Sequence, residues 1–95
     1  MINQSLHVRI VSPQQVILDN YARSVSSKNS QGKFDILPQH ANFITVIENQ
    51  PIIISFPSKN PLTFKFPIAI IISTNNMVYI YTYLLKQDKE NHLKN

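Results

Sequence analysis

Apolar and polar residues alternate with a period of two along most of this chain. In the first such segment Leu6, Val8 and Ile10 fall on one face, and His7 and Arg9 fall on the other. This period predicts a half-buried β-strand, because successive side chains of a strand point to opposite faces. By the same reasoning, and from short apolar runs, strands are predicted at 6–11, 15–18, 21–25, 34–37, 42–47, 52–56, 62–66, 68–73 and 77–83.

Residues that favour turns separate these segments. Pro57 to Pro61 gives the clearest turn signal, and Asn75-Asn76 predicts a hairpin because asparagine tolerates positive φ. Further turns are predicted at 12–14, 19–20 and 48–51, and the polar segment 26–32 is predicted to be a loop. Strands that recur roughly every eight to twelve residues predict an all-β fold, a two-sheet β-sandwich or flattened barrel of about ten short strands.

Composition agrees with a single β domain. Apolar residues make up 43% of the 95 residues, and they are mainly Ile, Val and Phe, which favour strands over helices. We assign residues 1–84 to the β-sandwich and residues 85–95 to a polar tail compatible with a short helix. There is no cysteine, no signal peptide is recognised, and the apolar run at 66–72 is too short for a membrane helix. We therefore expect no direct membrane insertion.

The most distinctive segment is 32–45. It contains Gly32, the single glycine of the chain, and it joins two predicted strands through a tight corner at Pro38, Gln39 and His40. Proline fixes φ and has no N–H, so a strand ladder cannot continue through Pro38. Gly32 permits backbone conformations that other residues resist, and Asp35 is expected to hydrogen-bond the loop. We therefore assign the shape of this segment to Gly32, Asp35 and Pro38.

Candidate catalytic and metal-binding groups are few. His7, His40 and His92 do not share a metal-ligand spacing, and zinc usually needs three or four ligands. Asp35 and His40 could form an acid/base pair across the corner, but no nucleophile or oxyanion loop accompanies them, so a structural role is favoured. We predict no catalytic residue, no metal and no cofactor, and hence no enzyme.

Charge and aromatic residues leave one binding alternative open. The net charge is +4, and the lysines and arginines are scattered rather than clustered. Tyr79, Tyr81 and Tyr83 share one strand face and could stack bases, as in modules that bind single-stranded nucleic acid. Basic residues do not interleave with these tyrosines, so a sheet-surface or protein-interface role is favoured and no nucleic acid is expected. The run at 66–72 is interpreted as a buried core strand.

Two segments resemble a known family. Residues 6–13 (LHVRIVSP) with Val16, and residues 32–41 (GKFDILPQHA), are similar to the epsilon subunit of F-type ATP synthase, which is called delta in mitochondria. The second segment carries the family's glycine-bounded loop and its Leu-Pro-x-His-Ala corner. The resemblance covers roughly residues 5–83 and is strongest in the first half.

The resemblance implies a fold of two packed five-stranded sheets and a non-catalytic role in the central stalk. Such a subunit couples rotation of the membrane-embedded c-ring to the gamma subunit during proton- or sodium-driven ATP synthesis. One face would bind gamma, and the corner end would rest on the c-ring through Ser12, Lys33, Pro38 and His40. The expected location is the cytoplasmic face of the cell membrane, peripherally, through the synthase complex.

The chain departs from the family pattern at several positions. Asp35 and Gln39 replace glycines that the family often places around the corner, and Lys33 stands where an acidic residue is common. Pro67-Ile68 replaces a Gly-Gly that often precedes the last hairpin. Many members continue into a helical hairpin that inhibits ATP hydrolysis. Only about a dozen polar residues follow the last predicted strand here, so we do not carry that regulatory role over.

Overall fold

The computed structural model describes residues 5–83, and these residues form nine strands and no helix. In chain order the strands are β1 (Leu6–Val11), β2 (Val16–Ala22), β3 (Ser24–Asn29), β4 (Gly32–Ile36), β5 (Phe43–Ile47), β6 (Pro51–Ser55), β7 (Leu62–Lys65), β8 (Ala69–Thr74) and β9 (Met77–Thr82). The polar tail predicted at 85–95 lies outside the described residues. No helix in the described part is long and apolar enough to cross a membrane.

The strands form two sheets, which confirms the all-β sandwich. One sheet has five strands in the order β2-β1-β9-β8-β5, and the other has four in the order β4-β3-β6-β7. The resemblance implied five strands in each sheet, so the second sheet is one strand short within residues 5–83. All neighbouring strands are antiparallel except β1 and β9, which run parallel.

The core lies between the sheets and follows the alternation seen in the sequence. Leu6, Val8 and Ile10 of β1 and Val78 and Ile80 of β9 are fully buried. The other buried apolar side chains are Ala22, Val25, Ile36, Ile47, Ile52, Ile54, Phe56, Phe66, Ala69 and Ile71. Branched side chains of this kind are stiff and pack closely on a pleated surface, so a core built from them deforms little.

The turn predicted at Asp19-Asn20 is wrong. Strand β2 runs through both residues, and Asp19 pairs with Arg9 across the sheet. The carboxylate of Asp19 lies 2.6 Å from His7 Nε2 and 3.4 Å from Arg9 Nε. These cross-strand contacts hold in a strand two residues that by local preference favour a turn. The chain passes to the other sheet only at Arg23, whose backbone N–H donates to Ser55 O at 2.7 Å.

The loop predicted at 26–32 is also wrong. Its first part belongs to β3, which pairs with β4 on one side and β6 on the other. Ser27 is buried in this strand, and its hydroxyl donates to Pro51 O at 2.8 Å, so its polar group is satisfied. The actual turn is short, at Ser30-Gln31, and Gly32 follows it with φ +125.

The second half of the chain is closer to expectation. The hairpin at Asn75-Asn76 is confirmed, with φ values of 49 and 61 that fit a type I′ turn. The strand at 62–66 ends before Pro67, as predicted, and β7 is an edge strand. The expectation that the run at 66–72 is buried is only half right, since Ile71 is buried but Ile70 is exposed.

Candidate functional site

The corner between β4 and β5 is a hydrogen-bonded turn. The backbone N–H of His40 donates to Leu37 O at 3.0 Å, with Pro38 and Gln39 in between. Gln39 has φ 67, so the geometry is that of a type II turn, in which the third residue needs positive φ. Pro38 suits the second position because its φ is already fixed. The corner is therefore well defined although glutamine occupies a position that favours glycine.

A long-range contact fastens the corner to the hairpin between β8 and β9. The backbone N–H of Gln39 donates to Asn76 Oδ1 at 2.6 Å. The backbone N–H of His7 donates to the carbonyl of Asn76 at 2.9 Å, so the same asparagine also contacts the start of β1. The corner, the last hairpin and the first strand thus meet at one end of the sandwich.

Aromatic rings support the corner from inside. The ring of Phe43 lies 5.6 Å from that of His40 and 5.2 Å from that of Phe34, both in edge-to-face geometry. His40 Nδ1 lies 2.7 Å from the carbonyl of Ala41, and since a carbonyl only accepts, this nitrogen carries the proton. His40 is therefore held by its ring packing and its backbone contact.

The structure does not bring all four predicted ring-contact residues together. Ser12 follows the last residue of β1, whereas Asn76 and the corner lie at the first residues of that strand. A strand of this length separates the two ends by roughly 17–20 Å. Ser12 instead shapes the β1–β2 turn, where its Oγ accepts from the N–H groups of Gln14 and Gln15 at 3.3 Å.

The residues assigned to the corner's shape also have separate positions. Gly32 is the first residue of β4, and a Cβ at this position would have nothing within 4 Å, so its positive φ is the constraint there. Asp35 lies on the outer face of β4 and accepts from Ser26 Oγ at 2.6 Å. Asp35 therefore forms a hydrogen bond across the strands instead of the expected bond within the loop. Asp35 contacts Ser26 and His40 contacts Ala41, so the two residues do not pair with each other.

The outer face of the five-stranded sheet is apolar over the three strands β5, β8 and β9. The cross-strand pairs Val46–Ile70 and Ile70–Tyr81 form one outward row, and Ile44–Ile72 and Ile72–Tyr79 form the next. We call this surface the apolar face: Ile44, Val46, Ile70, Ile72, Tyr79 and Tyr81. Ile44 is 67% exposed and Ile70 43% exposed. Contiguous exposed apolar surfaces are typical of interaction sites.

The tyrosines belong to this face. The rings of Tyr79 and Tyr81 stack with centroids 6.2 Å apart. Tyr79 pairs across the sheet with Arg9, which in turn pairs with Asp19, so a charged pair borders the apolar face on this side. The arrangement resembles an apolar interface centre with a polar rim.

The four-stranded sheet has the opposite character. Its outer face carries Lys28, Lys33 and Asp35 on β3 and β4, and Thr63 and Lys65 on the edge strand β7. The two broad surfaces of the sandwich therefore differ, with one apolar and one polar and mainly basic.

Sequence reasoning missed the apolar face and the role of Asn76. In the structure Ile44 and Val46, and likewise Ile70 and Ile72, fall in the phase opposite to the buried residues of their strands, whereas the sequence shows only that both phases carry apolar residues. The contact between Gln39 and Asn76 spans 37 residues, and no local pattern indicates it. Among residues 5–83 no group of three His, Cys, Asp or Glu side chains could hold a metal ion.

The fold and its surfaces define a small two-sheet β-sandwich with one apolar and one polar outer face. The chain belongs to the family described as the β-sandwich domain of the ATP synthase delta/epsilon chain, whose family model matches residues 5–82. The resemblance inferred from the corner and the opening strand is thereby confirmed. The nucleic-acid alternative finds no support in this match.

Curated relatives carry the same description over shorter stretches. The chain is 36% identical over 55 residues to the ATP synthase epsilon chain of Campylobacter curvus, covering 58% of this chain and 43% of the relative. It is 33% identical over 49 residues to the epsilon chain of Sulfurovum sp., covering 52% of this chain and 38% of the relative. The matches thus span about two fifths of the length of these relatives.

Solved structures share the fold at low identity. A chain of the Euglena gracilis mitochondrial ATP synthase, solved as OSCP/F1/c-ring, superposes with a TM-score of 0.80 at 10% identity, covering 98% of this chain and 63% of the other. A chain of the Tetrahymena thermophila mitochondrial ATP synthase central stalk and c-ring gives 0.71 at 19% identity, covering 88% and 67%. At such identities the likeness establishes the fold.

Proposed function

We propose that this chain is a non-catalytic subunit of the ATP synthase central stalk that couples rotation of the c-ring to the gamma subunit. Family membership supports the assignment, since the matched domain is that of the ATP synthase delta/epsilon chain. The single structural observation that carries it is the apolar face. A sandwich with a filled core and a second apolar surface is built to be covered by another protein.

The gamma subunit is the partner proposed for the apolar face. Its centre is aliphatic at Ile70 and Ile72, its tyrosines supply large contact areas, and the Arg9–Asp19 pair lies at its border. Buried aromatic and aliphatic anchors inside a polar rim are the composition of a stable protein interface.

The corner end is proposed to rest on the c-ring. Pro38 and His40 are presented by a turn that is fixed at Asn76 and supported by the Phe43 ring, so the contact surface is rigid. Lys33 is the second residue of β4, whereas the corner follows the last residue of that strand, so four residues of chain lie between Lys33 and Pro38. Ser12 likewise lies at the far end of β1, and both residues are left out of the proposed contact. The subunit would thereby be held peripherally at the cytoplasmic face of the cell membrane.

The proposal can be tested by co-expressing this chain with the ATP synthase gamma subunit of the same organism and measuring whether the two chains co-purify. We expect the two chains to co-purify, and we expect Val46→Glu with Ile70→Glu to lower the affinity at least about tenfold. The matched control is Thr63→Glu with Lys65→Glu on the outer face of the other sheet, which should bind as the unaltered chain does. Failure of the unaltered chain to co-purify would contradict the function. Equal retention of both variants would contradict the choice of face.

A further inference from the structure

The outer face of the four-stranded sheet holds a groove of about 470 Å³ beside a pair of lysines. Lys28 and Lys33 are direct cross-strand partners on β3 and β4, and both are exposed. Gln50, Pro51 and Ile53 line the groove from the β6 side. The groove therefore combines a basic wall with a partly apolar wall and an amide that can donate hydrogen bonds.

Like charges placed directly opposite each other in a sheet are unfavourable. Within residues 5–83 neither Lys28 nor Lys33 forms an ion pair. Two carboxylates lie close to this pair. Asp35 lines the groove two residue pairs along the ladder and accepts from Ser26 Oγ at 2.6 Å, and Glu48 lines an adjacent depression together with Lys28. The lining of the groove thus carries two positive charges and one negative charge, an excess of one positive charge that favours an anionic ligand.

We infer that this groove binds an acidic segment of a protein partner, with Lys28 and Lys33 contacting its carboxylates and Ile53 its apolar side chains. The inference does not depend on binding to gamma, because the groove lies on the sheet opposite the apolar face. It does not depend on the c-ring contact either, because Lys28 and Lys33 pair at the end of β4 that is away from the corner. Charge complementarity of this kind steers association and gives it a salt dependence.

A protein segment fits the groove better than a membrane surface does. Recognition of anionic lipid normally takes a cluster of about four to eight basic residues. The groove offers two lysines, and it is concave, with a hydrogen-bonding amide at Gln50 and an apolar side chain at Ile53. Its shape and mixed lining suit an extended peptide with alternating acidic and apolar side chains.

The test is an NMR titration of the isotope-labelled full chain with a blocked pentapeptide of four glutamates around one leucine. We expect saturable shifts centred on the amides of Lys28, Lys33 and Ile53, and none with the matching lysine peptide. Lys28→Glu with Lys33→Glu should weaken binding at least about tenfold. The control Arg23→Glu with Lys65→Glu changes the net charge equally at exposed positions outside the groove and should stay within about twofold.

Several results would overturn the inference. One is the absence of saturable shifts with the acidic peptide at low salt. Another is an equal loss of affinity in both double variants, which would indicate a general charge effect. A third is binding to anionic vesicles through the same lysines without binding to the peptide. If Lys28→Glu with Lys33→Glu prevents folding, the neutral variant Lys28→Gln with Lys33→Gln can replace it. We expect this variant to show the same loss of affinity for the acidic peptide.

Discussion

The backbone N–H of Gln39 donates a hydrogen bond of 2.6 Å to the side-chain Oδ1 of Asn76, and both residues have positive φ, 67 and 61. Each lies in a tight turn, one between β4 and β5 and the other between β8 and β9. Asn76 also accepts from the N–H of His7 through its backbone carbonyl. One asparagine thus fixes the corner relative to the last hairpin and the first strand.

Replacing Asn76 with glycine isolates this hydrogen bond. Glycine keeps the positive φ without cost but has no side-chain acceptor, so the N–H of Gln39 loses its partner. We expect the free energy of unfolding to fall by about 1 kcal/mol, measured by urea denaturation. The matched control is Asn75→Gly in the same turn, at an exposed position with φ 49, which should change stability by less than about 0.5 kcal/mol. Equal losses in the two variants would contradict the role given to Asn76.

Gln39 is expected to be sensitive to branching at Cβ. A β-branched residue strongly resists positive φ, so Gln39→Val should cost about 1–2 kcal/mol in thermal or urea unfolding. In Gln39→Gly, relief of strain and greater freedom of the unfolded chain oppose each other, and we expect a net change of about 0.5 kcal/mol or less. If Gln39→Val proved as stable as Gln39→Gly, the assignment of a type II turn at the corner would be wrong.

The contact of Asp19 with His7 and Arg9 should contribute modestly to stability. All three side chains are partly exposed, and the Arg9 Nε contact at 3.4 Å lacks hydrogen-bond geometry. Asp19→Asn keeps the shape and removes the charge, so we expect a loss of about 0.2–1 kcal/mol. The loss should shrink in high salt, because exposed ion pairs are screened. A loss above about 2 kcal/mol that persists in high salt would show that the contact matters more than its exposure indicates.

Local sequence patterns predicted the strands whose alternation is strong and missed those held by their neighbours. β1 and β9 alternate clearly, and both were placed within a residue of their bounds. β3 has a single large apolar residue, Val25, and is a strand because β4 and β6 pair with it on both sides. Such pairing depends on residues distant in sequence, which a local pattern does not contain.

For the candidate site too, local sequence predicted some features and missed others. Pro38 was enough to predict the corner, because its effect on φ and on the strand ladder is local. The apolar face could not be predicted as exposed, because Ile70 and Ile71 are both isoleucines in one apolar run. Such a run indicates a strand that is covered on both faces. It does not indicate whether the second face is covered by another part of this chain or by a partner protein.

Adjacent isoleucines test the orientation of the apolar face. Ile70 is 43% exposed and points outward, whereas Ile71 is fully buried between the sheets. In the isolated chain, Ile70→Lys should change stability by less than about 1 kcal/mol and raise solubility, because it interrupts an exposed apolar surface. Ile71→Lys buries an unpaired charge, which should cost more than about 4 kcal/mol and prevent folding. Soluble yield and the dispersion of an NMR spectrum distinguish the two. If Ile70→Lys unfolded the chain and Ile71→Lys did not, the register of β8 would be reversed, and the apolar face would belong to the core.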